Sequence, residues 1–350
     1  MGASVLIPVL NEEAHVERSL EAILAQRFER SLEILVVDGG SEDRTVPLVE
    51  GLARDEPRIR LLRNPSRHIP HALNIGLRQA RGQYVVRMDA HARYPPDYIA
   101  RGVARLEAGG VECVSGPPIP EGVNSWSRRV VLALGTHLGV GEGVFRQPRE
   151  EVEVDTTFTG VWRRTTLVGV GGWDEAWLVN EDSELCARIT EAGGRSICIP
   201  AMAAHYVPRQ SLGALARQYW RYGQFRAKTA RRHPTGLRRT HLLPPAVTAT
   251  IVGAAVAPGP VRRLVRKALP LYAGALAVGT AEAATADGAR PADVAWLPVV
   301  FATMHLSWGA GFLLGCVRFG PPLAAVSRAF GIARDQPALA PTTQDPKRRP

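Results

Sequence analysis

The chain has 350 residues, 45% of them apolar and 22% charged, enough for about two domains and too apolar to be disordered throughout. Forty-three basic against 33 acidic residues give a net charge of +10, which suits nucleic acid, a membrane surface or a phosphorylated substrate, so the position of the charge has to decide. Four cysteines, Cys113, Cys186, Cys198 and Cys316, lie far apart with no C-x-x-C pair; this excludes a zinc knuckle and a disulfide scaffold and fits a reducing, cytosolic setting.

The N-terminus runs directly into an apolar, strand-like segment without a basic leader, so no secretory signal peptide is expected. Strand-like runs follow at Ser4–Val9, Leu32–Val37, Arg58–Leu62, Gln83–Met88 and Val111–Ser115, with amphipathic stretches at Glu12–Ala25, Pro70–Ala80 and Asp97–Ala108. Their alternation predicts an α/β fold, a Rossmann-like, mostly parallel sheet with helices on both faces. Such sheets bind ligands beyond the carboxyl ends of their strands. Three polar sets stand there: Asn11-Glu12, Asp38-Gly39-Gly40-Ser41 and Asp89-Ala90-His91.

Regularity lapses from Trp126 to Val154, as expected of a functional or mobile loop. It returns at Thr157–Trp162, a Gly171-Gly172-Trp173 turn, an acidic helix start at Glu181-Asp182-Ser183-Glu184 and a last strand, Ser196–Ile199. The soluble domain is expected to close near Pro208. Residues 209–241 then carry nine basic and no acidic side chains, with Tyr219, Trp220, Tyr222 and Phe225 interleaved. That composition reads as an amphipathic segment at the headgroups of an anionic membrane; a solvated helix face and single-stranded nucleic acid are the alternatives. Apolar runs follow directly, which favours the membrane, and no nucleic acid is expected.

Uncharged runs of 20, 14 and 24 residues occupy 242–261, 268–281 and 294–317, approaching or reaching bilayer-spanning length. The loop 258–267 holds four basic and no acidic residues, 287–293 holds two acidic and one basic, and the chain from Arg318 holds six basic and two acidic. The positive-inside rule then puts 258–267 and the tail in the cytosol; with the soluble domain also cytosolic, 268–286 and 294–317 form a transmembrane hairpin and 242–261 is re-entrant or spanning. A basic, disordered tail is expected over 318–350.

Asp38 follows a β-branched strand and reads either as a turn aspartate or as a reader of a base or sugar. Asp89 repeats that placement, and His91 projects to the same side of an extended backbone. Together they suit Mn²⁺ better than Mg²⁺. At the helix start near 181, acidic residues cap the helix or deprotonate a hydroxyl, and capping is the preferred reading for Glu184.

Taken in order, Pro8-Val9-Leu10-Asn11-Glu12-Glu13, Val37-Asp38-Gly39-Gly40-Ser41, Ala72-Leu73-Asn74, Arg87-Met88-Asp89-Ala90-His91, Gly171-Gly172-Trp173-Asp174 and Glu181-Asp182 resemble family 2 glycosyltransferases of GT-A fold. Gly139-Val140-Gly141 with Phe145-Arg146, Asp155-Thr156 with Gly160-Val161-Trp162-Arg163-Arg164, and Pro208-Arg209-Gln210-Ser211-Leu212 are similar to the bacterial exopolysaccharide branch. The resemblance covers roughly residues 3–235 and implies a GT-A domain over 1–208; composition and charge add a basic interfacial segment over 209–241 and a helical membrane region over 242–317. The resemblance also implies inverting transfer of one sugar from a nucleotide-diphosphate donor to a lipid-linked saccharide or polyprenyl-type acceptor.

By the same resemblance, Pro8, Asn11, Glu12, Asp38, Arg67, Asn74 and Asp89 bind the donor and Asp182 is the catalytic base. Asp89, His91 and His205 are candidate ligands of a divalent cation, Mn²⁺ or Mg²⁺; His91 replaces the usual second aspartate, and a surface histidine is the other reading of His205. Trp162, Glu181, Gln218, Arg221 and Tyr222 are expected at the acceptor, the last three resembling a Q-x-x-R-W motif. Two or three short apolar segments are too few to enclose a processive polymer channel. A polyprenyl-phosphate sugar synthase is the related alternative. The alternative from another class is a non-catalytic protein binding anionic lipid or nucleic acid at the membrane, against which the three aspartates argue.

Overall fold

Seven-residue strands rich in Val, Ile and Leu form the centre of the molecule, in a computed structural model that describes residues 2–141, 148–256 and 258–332. The strands are β1 (Ala3–Val9), β2 (Leu32–Asp38), β3 (Ile59–Arg63), β4 (Tyr84–Arg87), β5 (Ala92–Arg93), β6 (Cys113–Ser115), β7 (Pro118–Pro120), β8 (Val152–Glu153), β9 (Gly160–Arg163), β10 (Ser196–Cys198) and β11 (Ala204–Tyr206). Eight of them form one sheet in the order β3-β2-β1-β4-β9-β6-β10-β8, and β5-β11-β7 form a small second sheet. In the large sheet β8 and β9 run against the other six, so the sheet is mixed but mostly parallel.

The period of two along a strand divides its side chains between two cores. Val5, Ile7 and Val9 of β1 pack on one face with Ile34, Val36 and the helix Val16–Leu24; Leu6, Leu35 and Val85 pack on the other with the helices Ile69–Gln79 and Glu181–Glu191. Burial on both faces explains why these strands read as continuous apolar runs.

The stretch from Trp126 to Val154 is more regular than its sequence suggests. A capping box at Asn124 starts a ten-residue helix, Ser125–Leu134, and Val130, Ala133 and Leu134 pack on Leu297, Val300 and Phe301 from the far end of the chain. Its apolar face meets the C-terminal helices instead of the sheet, a partner that local periodicity does not reveal. Phe145 and Arg146 lie outside the described residues, as does the tail from 333 onward.

The C-terminal part is helical over the expected apolar segments. Its long helices are Leu243–Val256, Leu269–Ala284 and Leu297–Phe319, and at ~1.5 Å per residue the first two fall short of a ~30 Å hydrocarbon core. Among the described residues one helical stretch, Pro291–Phe319, with mean hydropathy 1.5, is long and apolar enough to cross a membrane by length and composition. It packs side by side with the 21-residue helix Leu212–Arg232. Gly223 lies against the backbone of Trp308, and Gly311 against that of Trp220. The basic segment is correspondingly less free than its composition suggests. Arg226 donates to Ser183 Oγ at 3.4 Å, Lys228 sits over the Trp177 ring at 3.8 Å, and Arg232 pairs with Asp174 at 2.6 Å.

A Cβ at residue 311 would overlap the Trp220 carbonyl. Gly311→Leu should therefore force the two helices apart and cost about 2 kcal/mol or more in urea unfolding; a loss under about 0.5 kcal/mol would contradict the close packing.

Candidate active site

The carboxyl ends of β1 and β4, the start of the helix Glu181–Glu191 and the inner face of Leu212–Arg232 enclose one cleft of about 1410 Å³. Asn11, Glu12, Asp89 and His91 line one end, Glu181 and Asp182 the middle, and Gln218, Arg221, Tyr222 and Arg226 the opposite wall. Among the described residues three non-glycine positions have positive φ: Asn11 (57°), Arg67 (62°) and Asn180 (61°). Asn11 and Asn180 both line the cleft, consistent with backbone strain being held where it aims functional groups.

Arg87, the buried last residue of β4, organises the centre. Its Nε donates to Asp89 Oδ1 at 3.1 Å and its Nη1 to Glu181 Oε1 at 3.0 Å. Burial works against the guanidinium's charge, but Asp89, Glu181 and Asp182 outweigh it and hold the pKa above the ordinary arginine value. The Asp89 N–H donates to Tyr94 Oη at 2.7 Å, which fixes the loop after β4.

Asp182 has weaker partners. Its Oδ1 accepts from the Ser183 N–H at 2.7 Å and its Oδ2 from Thr156 Oγ1 at 3.3 Å. Burial first, then the neighbouring charge of Glu181, push its pKa up to about 7, against the opposing pull of Arg87, the Ser183 N–H and Arg226. A carboxylate with this proton affinity suits a general base near neutral pH.

Several expected site residues lie elsewhere. Trp162 is fully buried and packs edge-on against Trp173 with ring centroids 5.7 Å apart, so it belongs to the core and not to the acceptor site. Asn74 donates to the Trp173 carbonyl at 2.8 Å and accepts from the Trp173 N–H at 2.9 Å; it ties a helix to the Gly171-Gly172-Trp173 turn and does not line the cleft. Asp38 accepts from the N–H groups of Gly40 and Ser41 at 2.9 and 3.1 Å, the turn reading. Arg67 is exposed and paired with Glu42 at 3.2 Å, and neither it nor Pro8 is among the cleft-lining residues. Glu181 does line the cleft, but its Oε1 is occupied by Arg87. Glu184 is buried and paired with Arg188 at 2.6 Å.

The three expected metal ligands do not converge. His205 Nδ1 lies 2.8 Å from Glu121 Oε1, and His91 Nδ1 lies 3.0 Å from Glu12 Oε1. The Glu12 contact, aided by the charge of Asp89, raises the His91 pKa against the opposing effect of burial. Among the described residues no group of three His, Cys, Asp or Glu side chains is arranged to hold a metal. Asp89 and His91, both lining the cleft, still offer a carboxylate oxygen and an imidazole nitrogen, ligand types that fit Mn²⁺ and suit Mg²⁺ less well.

The sequence reading missed Arg87 and Arg226 as parts of this site. The signal for Arg87 was a charge inside an otherwise apolar strand; Arg226 was grouped with cations assigned to a membrane.

The family model for glycosyl transferase family 2 matches residues 4–164. The succinoglycan biosynthesis protein ExoA of Rhizobium meliloti is 32% identical over 319 residues, 88% of this chain and 93% of that protein. The chain belongs to glycosyl transferase family 2. It is a glycosyltransferase, similar along nearly its whole length to a protein of exopolysaccharide biosynthesis. An undecaprenyl-phosphate 4-deoxy-4-formamido-L-arabinose transferase of Pseudomonas aeruginosa is 35% identical over 39% of this chain and 42% of that protein. The mannosyltransferase PcManGT from Pyrobaculum calidifontis, solved with GDP-Man and Mn²⁺, superposes with a TM-score of 0.57 at 21% identity, covering 94% of this chain and 86% of that one. That likeness shows the GT-A fold, and the Mn²⁺ belongs to that neighbour's structure.

Arg87→Met leaves Asp89 and Glu181 buried without their cation and should cost about 3 to 5 kcal/mol in urea unfolding at neutral pH. A cost under about 1 kcal/mol would remove Arg87 from its organising role.

Proposed function

We propose that this glycosyltransferase moves one sugar, with inversion, from a nucleotide-diphosphate sugar to a lipid-linked saccharide or polyprenyl-type acceptor at the cytoplasmic face of the cell membrane. The observation that carries the reading is Asp182, a carboxylate with a pKa near 7 between a donor end and an acceptor end of one cleft. The cleft lining also includes the apolar Val130, Leu134, Leu215 and Trp308. Apolar side chains in the lining suit a lipid carrier, and the Pseudomonas relative is named as an undecaprenyl-phosphate sugar transferase.

In this mechanism Asp182 takes the proton of the acceptor hydroxyl while that oxygen attacks the anomeric carbon. The bond from that carbon to the diphosphate oxygen breaks on the opposite face, and the nucleoside diphosphate leaves with the electron pair. Asn11 and Glu12 stand at the nucleotide end, and Arg226 and Arg221 oppose negative charge along the wall. A divalent cation held by Asp89 and His91 would offset the charge on the diphosphate. Arg87 touches no substrate in this reading; it positions Asp89 and Glu181.

The test is nucleoside diphosphate release by the purified chain across a panel of nucleotide sugars, with a polyprenyl-phosphate-linked saccharide as acceptor. Asp182→Asn should keep donor affinity within a few-fold and lower turnover about 10²- to 10⁴-fold. Glu181→Gln should be milder, and thorough chelation should abolish turnover, with Mn²⁺ the better restorer. A fully active Asn variant would overturn the base, and indifference to chelation would overturn the cation at Asp89 and His91.

A further inference from the structure

The apolar surface of this protein is concentrated at one end of the chain. Of the eighteen exposed large apolar side chains among the described residues, thirteen lie after residue 242. They include Leu271 at 77%, Val278 at 70% and Val317 at 83% exposure. On the helix Leu297–Phe319 the outward positions Val299, Leu306, Leu313, Leu314 and Val317 recur at helical spacing without a charge. Its opposite face, with Val300, Phe301, Met304 and Phe312, is buried against the rest of the protein. A helix apolar on every side needs an apolar medium on the side that protein does not cover.

Both ends of this helix touch the water-facing catalytic part. Just before its start, Asp293 is gripped by Arg128 and Arg129 of the helix Ser125–Leu134, each at 3.1 Å. Near its end, Phe312 packs with Ala227 and Ala230, and Phe319 lies 6.2 Å from Phe225. Those partners belong to Leu212–Arg232, the helix that walls the cleft. The helix Leu269–Ala284 is held on the same side, with His137 Nδ1 2.7 Å from Glu282. A spanning helix carries its two ends to opposite faces of a ~30 Å hydrocarbon layer, and a charged catalytic domain cannot follow both. The link 287–293, which charge counting places across the membrane, is bound to the catalytic domain through Asp293.

We infer that the C-terminal helices form a monotopic seat, which lies in one leaflet of an anionic bilayer and does not cross it. Residues 243–332 carry seven basic and three acidic side chains, and two of those acids, Glu282 and Asp293, are taken up by His137, Arg128 and Arg129. Arg262, Arg263, Arg266 and Lys267 stand exposed on and beside a short helix, Gly259–Arg266, between the apolar helices. Anionic headgroups complement this surface. A second copy of the chain would present the same positive charge to it. The seat sets the helix Leu212–Arg232, which walls the cleft, beside the leaflet that supplies a lipid-linked acceptor, although the inference does not depend on the transfer reaction.

The experiment uses the full chain with Cys316→Ser as background and single cysteines at Glu29, Arg263 and Asp287, in sealed membrane vesicles probed with a membrane-impermeant maleimide. All three should label from the same side. Labelling of Asp287→Cys only from the side opposite Glu29→Cys would overturn the inference. In parallel, the purified chain should bind phosphatidylglycerol vesicles at least about tenfold more tightly than phosphatidylcholine vesicles at low salt. Leu314→Glu and Val317→Glu should each weaken binding about tenfold while leaving donor hydrolysis unchanged. Absence of binding to either vesicle, or a soluble dimer that those substitutions dissociate, would also overturn it. Donor hydrolysis is read separately, so failure of the seat is distinguishable from failure of the proposed reaction.

Discussion

Charge balance around Arg87 is the constraint on which the site depends. Asp89, Glu181 and Asp182 come from a strand end and a helix start that are far apart in sequence, and all three weigh on one buried guanidinium. Asp89 and Glu181 receive its hydrogen bonds. Asp182 is raised first by burial and then by the like charge of Glu181, and receives only part of the guanidinium's field in return, which leaves its proton affinity high. Similar carboxylates thus take different roles because burial and one shared cation act on them unequally.

The helix Leu212–Arg232 connects this chemistry to the rest of the chain. Its inner face walls the cleft and sets Arg226 beside Ser183. Its outer face is fitted, glycine to backbone, onto Leu297–Phe319. Small residues allow that approach, and van der Waals contact along two long helices gives the wall its rigidity. The acceptor side of the cleft is therefore built on helices whose remaining surface is apolar.

Much of the nucleotide-binding half was legible in the sequence, because fully buried parallel strands advertise themselves as β-branched runs and their ends mark the ligand crevice. Position along a motif did not reveal direction. Trp162 stands in a stretch that carries the family resemblance but points into the core beside Trp173, and Asn74 spends its amide on a turn. The helix Ser125–Leu134 was hidden because its partner lies more than 150 residues later. Hydropathy found the C-terminal apolar runs but could not tell a side facing protein from a side facing lipid, and the cations of 209–241 gave no sign that Arg226, Lys228 and Arg232 turn inward.

The pH dependence of kcat at saturating substrates tests the shared-cation account most directly. Turnover should rise with pH through an inflection near 7, where Asp182 loses its proton. In Glu181→Gln that inflection should move toward acid, because the repulsion that raises the Asp182 pKa is gone and Arg87 has one carboxylate fewer to serve. A profile flat from about pH 5 to 9, or an inflection that Glu181→Gln leaves in place or moves toward alkali, would contradict the account.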